Sequence, residues 1–209
     1  MEEKKKIVIF DFDGVFVDDF DFHKTHIEKF LGTKISDEEF YAIHSGNIYK
    51  NDGRGLELEG FHVQDYCNII YKQMAQLPLV DGMKDVVTFI GQFAQLFVVS
   101  SGCEKNIRAF FAQKAISIKE WSIYGVETNP SKEKKLLRIL SETKKSSDEV
   151  IFITDTLGDI LEANTVGVAS IAATWGFQKK ETLAQGAPFG FANTPSDIIS
   201  LVEAYFNGL

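Results

Sequence analysis

Apolar positions in this chain fall into short unbroken runs, each closing on a polar or charged cluster, with helix-period stretches between them. Ile7-Val8-Ile9-Phe10 closes on Asp11-Phe12-Asp13-Gly14, and Leu96-Phe97-Val98-Val99 on Ser100-Ser101-Gly102. Val150-Ile151-Phe152-Ile153 closes on Thr154-Asp155, and Val168-Ala169-Ser170-Ile171-Ala172-Ala173 on Thr174-Trp175-Gly176. Apolar runs this short predict strands buried on both faces. Between them Ile107, Phe110, Phe111 and Lys114 repeat at helical spacing, as do Leu136, Leu137, Ile139 and Leu140, and then Ile160, Leu161 and Asn164. Strands alternating with helices imply right-handed crossovers and a doubly wound α/β fold on a parallel sheet. Thr194, Pro195 and Asp197 carry the start signals of a last helix.

The rhythm breaks between about Asp19 and Pro78, a stretch without a strand-like run and too long for a plain loop. Its pattern is helical: Phe22 to Leu31, a second helix opened by the capping box Ser36-Asp37-Glu38-Glu39, and a third from Val63 through Tyr66, Ile70, Met74 and Leu77 to Pro78. The division expected is an α/β core from residues 1–18 and 79–209, with residues 19–78 inserted as a small helical cap that overhangs the end of the first strand.

Composition narrows the classes. The chain has 209 residues, 44% apolar and 25% charged, enough for one full core and a small insertion. A net charge of -8 excludes a broad nucleic-acid surface, although Lys132, Lys134 and Lys135 cluster locally. Two cysteines, Cys67 and Cys103, form no disulfide framework and suggest a reducing cytoplasm. The charged start Met1-Glu2-Glu3-Lys4-Lys5-Lys6 and the short run after it give no signal peptide or membrane span. A soluble cytoplasmic protein is expected, monomeric or otherwise, without nucleic-acid or membrane partners. The 18 phenylalanines read as core filling.

The chemistry sits where the runs end, since open parallel sheets hold their ligands beyond the carboxyl ends of the strands. An unpaired carboxylate in an apolar interior is too costly to keep, so Asp11 and Asp13 face a pocket. Phe12 between them points back into the fold, and Gly14 releases the chain into a turn. Convergent strand ends add Ser100, Ser101, Gly102, Asp155 and Asp159. Several carboxylates together require a cation, and a set made of oxygens alone selects a hard one, Mg²⁺. Such a site with a hydroxyl and a basic residue suits a phosphoryl group. One carboxylate would act as nucleophile, and a second, raised by the neighbouring negative charge, as acid and base.

These residues resemble a known family. Asp11-Phe12-Asp13-Gly14-Val15, the hydroxyl of Ser100, a lysine opening a helix and Thr154-Asp155-Thr156-Leu157-Gly158-Asp159 are similar, in order, to the four motifs of the haloacid dehalogenase superfamily. The resemblance spans about residues 7 to 206. Thr174-Trp175-Gly176-Phe177, Glu181 and Leu183 look like its phosphoglycolate-phosphatase-like branch, as does the insertion point of the cap. It implies a Rossmann-like core and a Mg²⁺-dependent phosphatase acting on a small phosphorylated metabolite through an aspartyl-phosphate. Asp11 would be nucleophile and metal ligand, and Asp13 the acid/base whose carbonyl also reaches the metal. Ser100 would bind the phosphoryl oxygens with the amide of Ser101 close by. Asp155 would ligate Mg²⁺ directly and Asp159 through water, and Lys132, with Lys135 as the alternative, would be the lysine. Gly14, Ser101, Gly102 and Arg54 are the remaining substrate-binding candidates.

Three positions depart from the family pattern: Thr154 where Gly is usual, Ser101 where Asn is common, and Asp19 where a small hydroxyl residue often stands. A sugar-phosphate mutase is the rival enzyme, because Asp11 to His23 also resembles the β-phosphoglucomutase pattern; a non-catalytic phospholigand-binding member is the rival from another class. Halide removal has no use for Asp13. His23 and His26, at i and i+3, are read as surface or hinge residues for want of a third nitrogen or thiolate ligand. Cys103, at a helix start, is expected to be inert.

Overall fold

The computed structural model describes residues 6–43, 63–117 and 121–208. Six strands build the sheet: β1 (Lys6–Phe10), β2 (Ala94–Val99), β3 (Ser122–Tyr124), β4 (Val150–Thr154), β5 (Ala169–Ala173) and β6 (Gly190–Ala192). All neighbours are parallel, in the order β3-β2-β1-β4-β5-β6. The chain adds strands outward from β1 in one direction, then returns to add β4, β5 and β6 in the other. The carboxyl ends of β1 and β4 therefore flank the point where the winding reverses, and there a crevice opens.

The strands have nearly unbroken apolar sequences because alternate residues feed two cores. Val8 and Phe10 of β1, with Leu96, Val98, Ile151 and Ile153, pack on helices α4 (Met83–Ile90), α5 (Glu104–Gln113) and α9 (Pro195–Asn207). Ile7 and Ile9, with Phe97, Val99, Val150 and Phe152, pack on α6 (Lys132–Thr143) and α7 (Leu157–Thr165). Each fully buried apolar side chain is worth about 1.5–3 kcal/mol, so both faces of the sheet resist sliding. Register follows, with Phe10 beside Val98 on one flank and Ile153 on the other.

The segment between β1 and α4 contributes α1 (Phe20–Leu31), α2 (Asp37–Ile43) and α3 (Val63–Met74), and the chain continues through α8 (Lys180–Leu183) toward β6. The Ser36 capping box is formed: the Ser36 amide donates to Glu39 Oε2 at 2.7 Å, and the Glu39 amide to Ser36 Oγ at 3.1 Å. Thr194 and Asp197 make the same reciprocal arrangement ahead of α9. Phe20, Ile27, Phe40 and Phe177 gather into a small separate apolar cluster under these helices.

The four anticipated strands are present, β5 beginning one residue later than its apolar run. Strands β3 and β6 are three residues each and lie on the sheet edges, too short for a pattern to show. Helix α4 carries a helical period (Met83, Val86, Val87, Ile90) that a reading by strand runs passes over.

One expectation is overturned. Cys67 of α3 and Cys103, the N-cap of α5, are joined by a disulfide with Cα atoms 6.1 Å apart. They lie 36 residues apart in sequence, so only the packing of α3 onto the start of α5 makes them neighbours. The pair therefore gives no support to a reducing compartment. Among the described residues, no helix is long and apolar enough to cross a membrane.

Candidate active site

The crevice floor is made where β1 and β4 end. Asp11 follows β1 and its amide donates to Ile153 O at 2.8 Å, which extends the ladder one residue and fixes the Asp11 backbone. Phe12, fully buried, turns back between Phe110 and Phe111, with ring centroids at 5.1 and 5.6 Å. Asp11 and Asp13 are thereby held on the crevice side.

Lys132, at the first turn of α6, crosses the floor. Its Nζ donates to Asp11 Oδ2 and to Asp159 Oδ2, both at 2.6 Å. Ser131 N-caps this helix by accepting from the Lys134 amide, and that cap sets the direction of the Lys132 side chain. Lys134 is exposed. Lys135 is fully buried one helical turn from the bridge, and its Nζ donates to Ser100 O at 2.6 Å. Of the three lysines, Lys132 is the one that meets the carboxylates; Lys135 acts on the loop after β2. Burial opposes a charge on Lys132, but Asp11 and Asp159 hold its pKa above the usual lysine value. Burial, then Lys132, push Lys135 down to about 8.

Asp155 is fixed differently. Its Oδ2 accepts from the Phe177 amide at 2.7 Å. Gly14, at φ +70°, and Gly176 press against it so closely that a Cβ on either would overlap the carboxylate. Its Oδ1 is buried and makes no hydrogen bond. Burial raises Asp155 to about 7, against the Phe177 amide that lowers it. Asp159, in the first turn of α7, accepts from Thr154 Oγ1 at 2.7 Å as well as from Lys132. Burial would raise Asp159, but Lys132 and these hydrogen bonds hold it below the usual carboxylate range. Asp11 lies well above that range, raised by burial that Lys132 only partly offsets.

The loop after β2 closes one side. Gly102 N donates to Ser100 Oγ at 2.8 Å, and Ser100 Oγ donates to Asp13 Oδ2 at 3.2 Å. Ser101 is half-buried beside them. Arg54 lies outside the described residues.

The sequence reading missed what faces Asp13 from above. His23 is half-buried, not a surface residue: its Nε2 lies 3.1 Å from Asp19 Oδ2 and 3.6 Å from Asp13 Oδ1, and its Nδ1 2.7 Å from Tyr66 Oη. Asp19 is fully buried and accepts from the Gly14 amide at 3.2 Å. His26 turns away to Phe22 O. Burial raises Asp13, but His23 outweighs it and brings Asp13 to about 2. Burial and the Asp13 charge push Asp19 up to about 8. His23 lies well above its usual value, because Tyr66 and the carboxylates outweigh its burial. The expected upward shift of Asp13 is thus reversed by a cation from α1. The i+4 spacing of Asp19 and His23 on a predicted helix was the signal available for this cluster.

Two oxygen-rich positions could hold a cation. Asp13, Asp19 and His23 bring ligand atoms within 4.8 Å of one another, but Asp19 and His23 already bond each other. Asp155 keeps a buried oxygen unused, and the carboxylates that act on it electrostatically are those of Asp11 and Asp159; carboxylate oxygens suit a hard divalent ion.

Comparison with known proteins agrees with this architecture. A phosphoglycolate phosphatase of Synechococcus elongatus is 23% identical over 203 residues, which cover 93% of this chain and 96% of the relative. A haloacid dehalogenase-like hydrolase from Streptococcus pneumoniae superposes with a TM-score of 0.75 at 21% identity, over 95% of this chain and 99% of that one. A structure described as a predicted phosphatase, from Clostridium acetobutylicum, gives a TM-score of 0.78 at 18% identity, over 96% of this chain and 99% of that one. Residues 8–173 match the family model of the haloacid dehalogenase-like hydrolases, a span that runs from β1 through β5 and includes Asp11, Asp13, Ser100, Lys132, Asp155 and Asp159, and the chain belongs to that family.

Proposed function

We propose that this chain is a metal-dependent phosphomonoester hydrolase acting on a small phosphorylated metabolite, with residues 19–78 serving as a cap over the crevice. The observation that carries this reading is the Lys132 bridge between Asp11 and Asp159, set beside an Asp155 whose Oδ1 is buried without a hydrogen bond. The activity of the Synechococcus elongatus relative supports the substrate class.

Asp11, the carbonyl of Asp13, Asp155 and Asp159 would hold Mg²⁺. When bound, the ion supplies positive charge against the phosphoryl oxygens. The protein's own residues do the rest. An Asp11 carboxylate oxygen attacks phosphorus and the ester oxygen leaves, giving an aspartyl-phosphate. Lys132 holds Asp11 in place and balances the charge that develops. Ser100 Oγ and the Gly102 loop receive phosphoryl oxygens. Asp13 passes the proton, first to the departing alcohol and then from the water that hydrolyses the intermediate. In the free protein His23 keeps Asp13 ionised, and the negative charge of an arriving phosphate raises it toward the acid and base roles.

The test is phosphate release from a panel of phosphomonoesters with Mg²⁺, beside Asp11→Asn. Release by the wild type, reduced at least ~10³-fold in Asp11→Asn, is expected. No release from any ester, or full activity in Asp11→Asn, overturns the reading. Conversion of a hexose 1-phosphate to its 6-phosphate without free phosphate reassigns the chain as a mutase.

A further inference from the structure

The chain has two cysteines, and both are in the Cys67–Cys103 bond. The bond's placement is informative. Cys103 lies three residues past Ser100, at the end of the loop that lines the crevice; Cys67 lies on α3, in the segment inserted between β1 and β2. Tyr66, its neighbour on α3, reaches His23, and His23 faces Asp13. One covalent link thus ties the overlying helices to the Ser100 loop.

The link does not serve the core. Both faces of the sheet are filled by fully buried side chains without it, and a chain of this size buries enough apolar surface to fold unaided. Farther along α3, Ile70 and Met74 join the core with Ile107, Phe110 and Phe111 of α5, while beside the bond itself the contact is polar: Asn106 Nδ2 donates to Cys67 O at 3.0 Å and Lys105 Nζ donates to Asn68. The polar end of that contact, with fewer buried apolar side chains, is the part that opens locally at lower cost. Cys67 is 2% exposed and Cys103 0%, so reagents reach the sulfurs when α3 lifts from α5.

We propose that Cys67 and Cys103 form a redox-controlled latch between the overlying helices and the phosphate-binding loop. In the disulfide form α3 is pinned to the Ser100 loop and the crevice exchanges ligands slowly. In the dithiol form the Cys67 end of α3 loosens and turnover rises, because lid opening limits the rate of many enzymes. The latch closes by thiol–disulfide exchange with a small-molecule disulfide. A protein thiolate attacks one sulfur, the S–S bond breaks, and a small thiolate leaves to take up a proton. The second protein thiol, after losing its proton, attacks the mixed disulfide and expels the other small thiol. Two protein thiols are oxidised and one disulfide is reduced to two thiols.

The regulatory consequence rests on the phosphatase reading, but the latch itself is measured without substrate. The full chain is equilibrated with oxidised glutathione or with dithiothreitol, beside Cys67→Ala. Free thiols are titrated, amide hydrogen exchange is followed in α3 and residues 100–106, and kcat and KM are determined on whichever phosphomonoester is hydrolysed. The expected result is no titratable thiol after oxidation and two after reduction. Exchange in α3 should be about tenfold faster in the reduced protein, and kcat severalfold higher, with Cys67→Ala showing the reduced-form values in both buffers. Failure of the thiols to oxidise, or equal exchange in both forms, overturns the latch. Faster exchange with unchanged kcat also overturns it, leaving a structural crosslink only. Absence of hydrolysis in every form counts against the phosphatase reading, while the exchange data still decide the latch.

Discussion

The floor of the crevice and the helices above it solve the same problem, several buried carboxylates, in opposite ways. On the floor, Lys132 comes from a helix anchored in the core and neutralises Asp11 and Asp159 together. Above it, Asp13 and Asp19 share a histidine from α1, and burial drives one of the two to hold a proton, with Asp19 pushed to about 8 and Asp13 to about 2. The floor is held in place because Asp11 extends a hydrogen-bonded sheet and Lys132 and Asp159 stand on helices packed against it. The upper cluster depends on α1 docking through a small aromatic core, and on α3 docking through Ile70 and Met74 and one disulfide. The floor charges stand on a strand end and on helices packed against the sheet, whereas the upper cluster takes its cation from α1, in the inserted segment.

The largest expected effect would break this contrast if it failed. Phe40, fully buried, joins Phe20 and Phe177 at centroid distances of 4.8 and 6.1 Å. Phe40→Ala should cost ~3–5 kcal/mol, read as faster amide exchange in α1 and α2. Amides of β1 and β4 should stay protected; equal loosening of both regions would show that they are one cooperative unit.

A smaller effect is expected on the floor. In Gly176→Ala the new Cβ must displace Asp155. Mg²⁺ affinity, measured by titration calorimetry, should fall ~10–100-fold with little change in exchange at α1. An unaltered affinity would mean that Asp155 does not bind the ion.

The smallest concerns Lys135, beneath the Ser100 loop. Its pKa of about 8 is depressed in the folded protein, so above that pH the unfolded chain binds more protons and stability rises with pH. Between pH 8 and 9.5 the wild type should gain about 2 kcal/mol relative to Lys135→Met, from urea midpoints at each pH. A pH-independent difference would mean that Lys135 keeps its ordinary pKa.

Much of this was legible in order but not in depth. The apolar runs located β1, β2, β4 and β5 because a strand buried on both faces needs them, and the polar clusters at their ends located Asp11, Asp13, Ser100, Asp155 and Asp159. Lys132 was preferred for its position at the start of a helix, with Lys135 kept as the alternative. Helix α4 and the edge strands β3 and β6 were not anticipated; a three-residue strand has no period to detect. His23 was read as peripheral, since a histidine on a helix reveals nothing of the carboxylate that faces it.

The sequence by itself determined the four inner strands, most of the helices and the acidic strand ends, because burial on two faces imposes local patterns that one chain displays. Only the tertiary structure decided that Lys132 and not Lys135 spans two carboxylates, that His23 lowers Asp13, and that Cys67 meets Cys103. Each of these joins residues distant in sequence or turns a side chain toward a neighbour, and both depend on how helices pack against the sheet and each other.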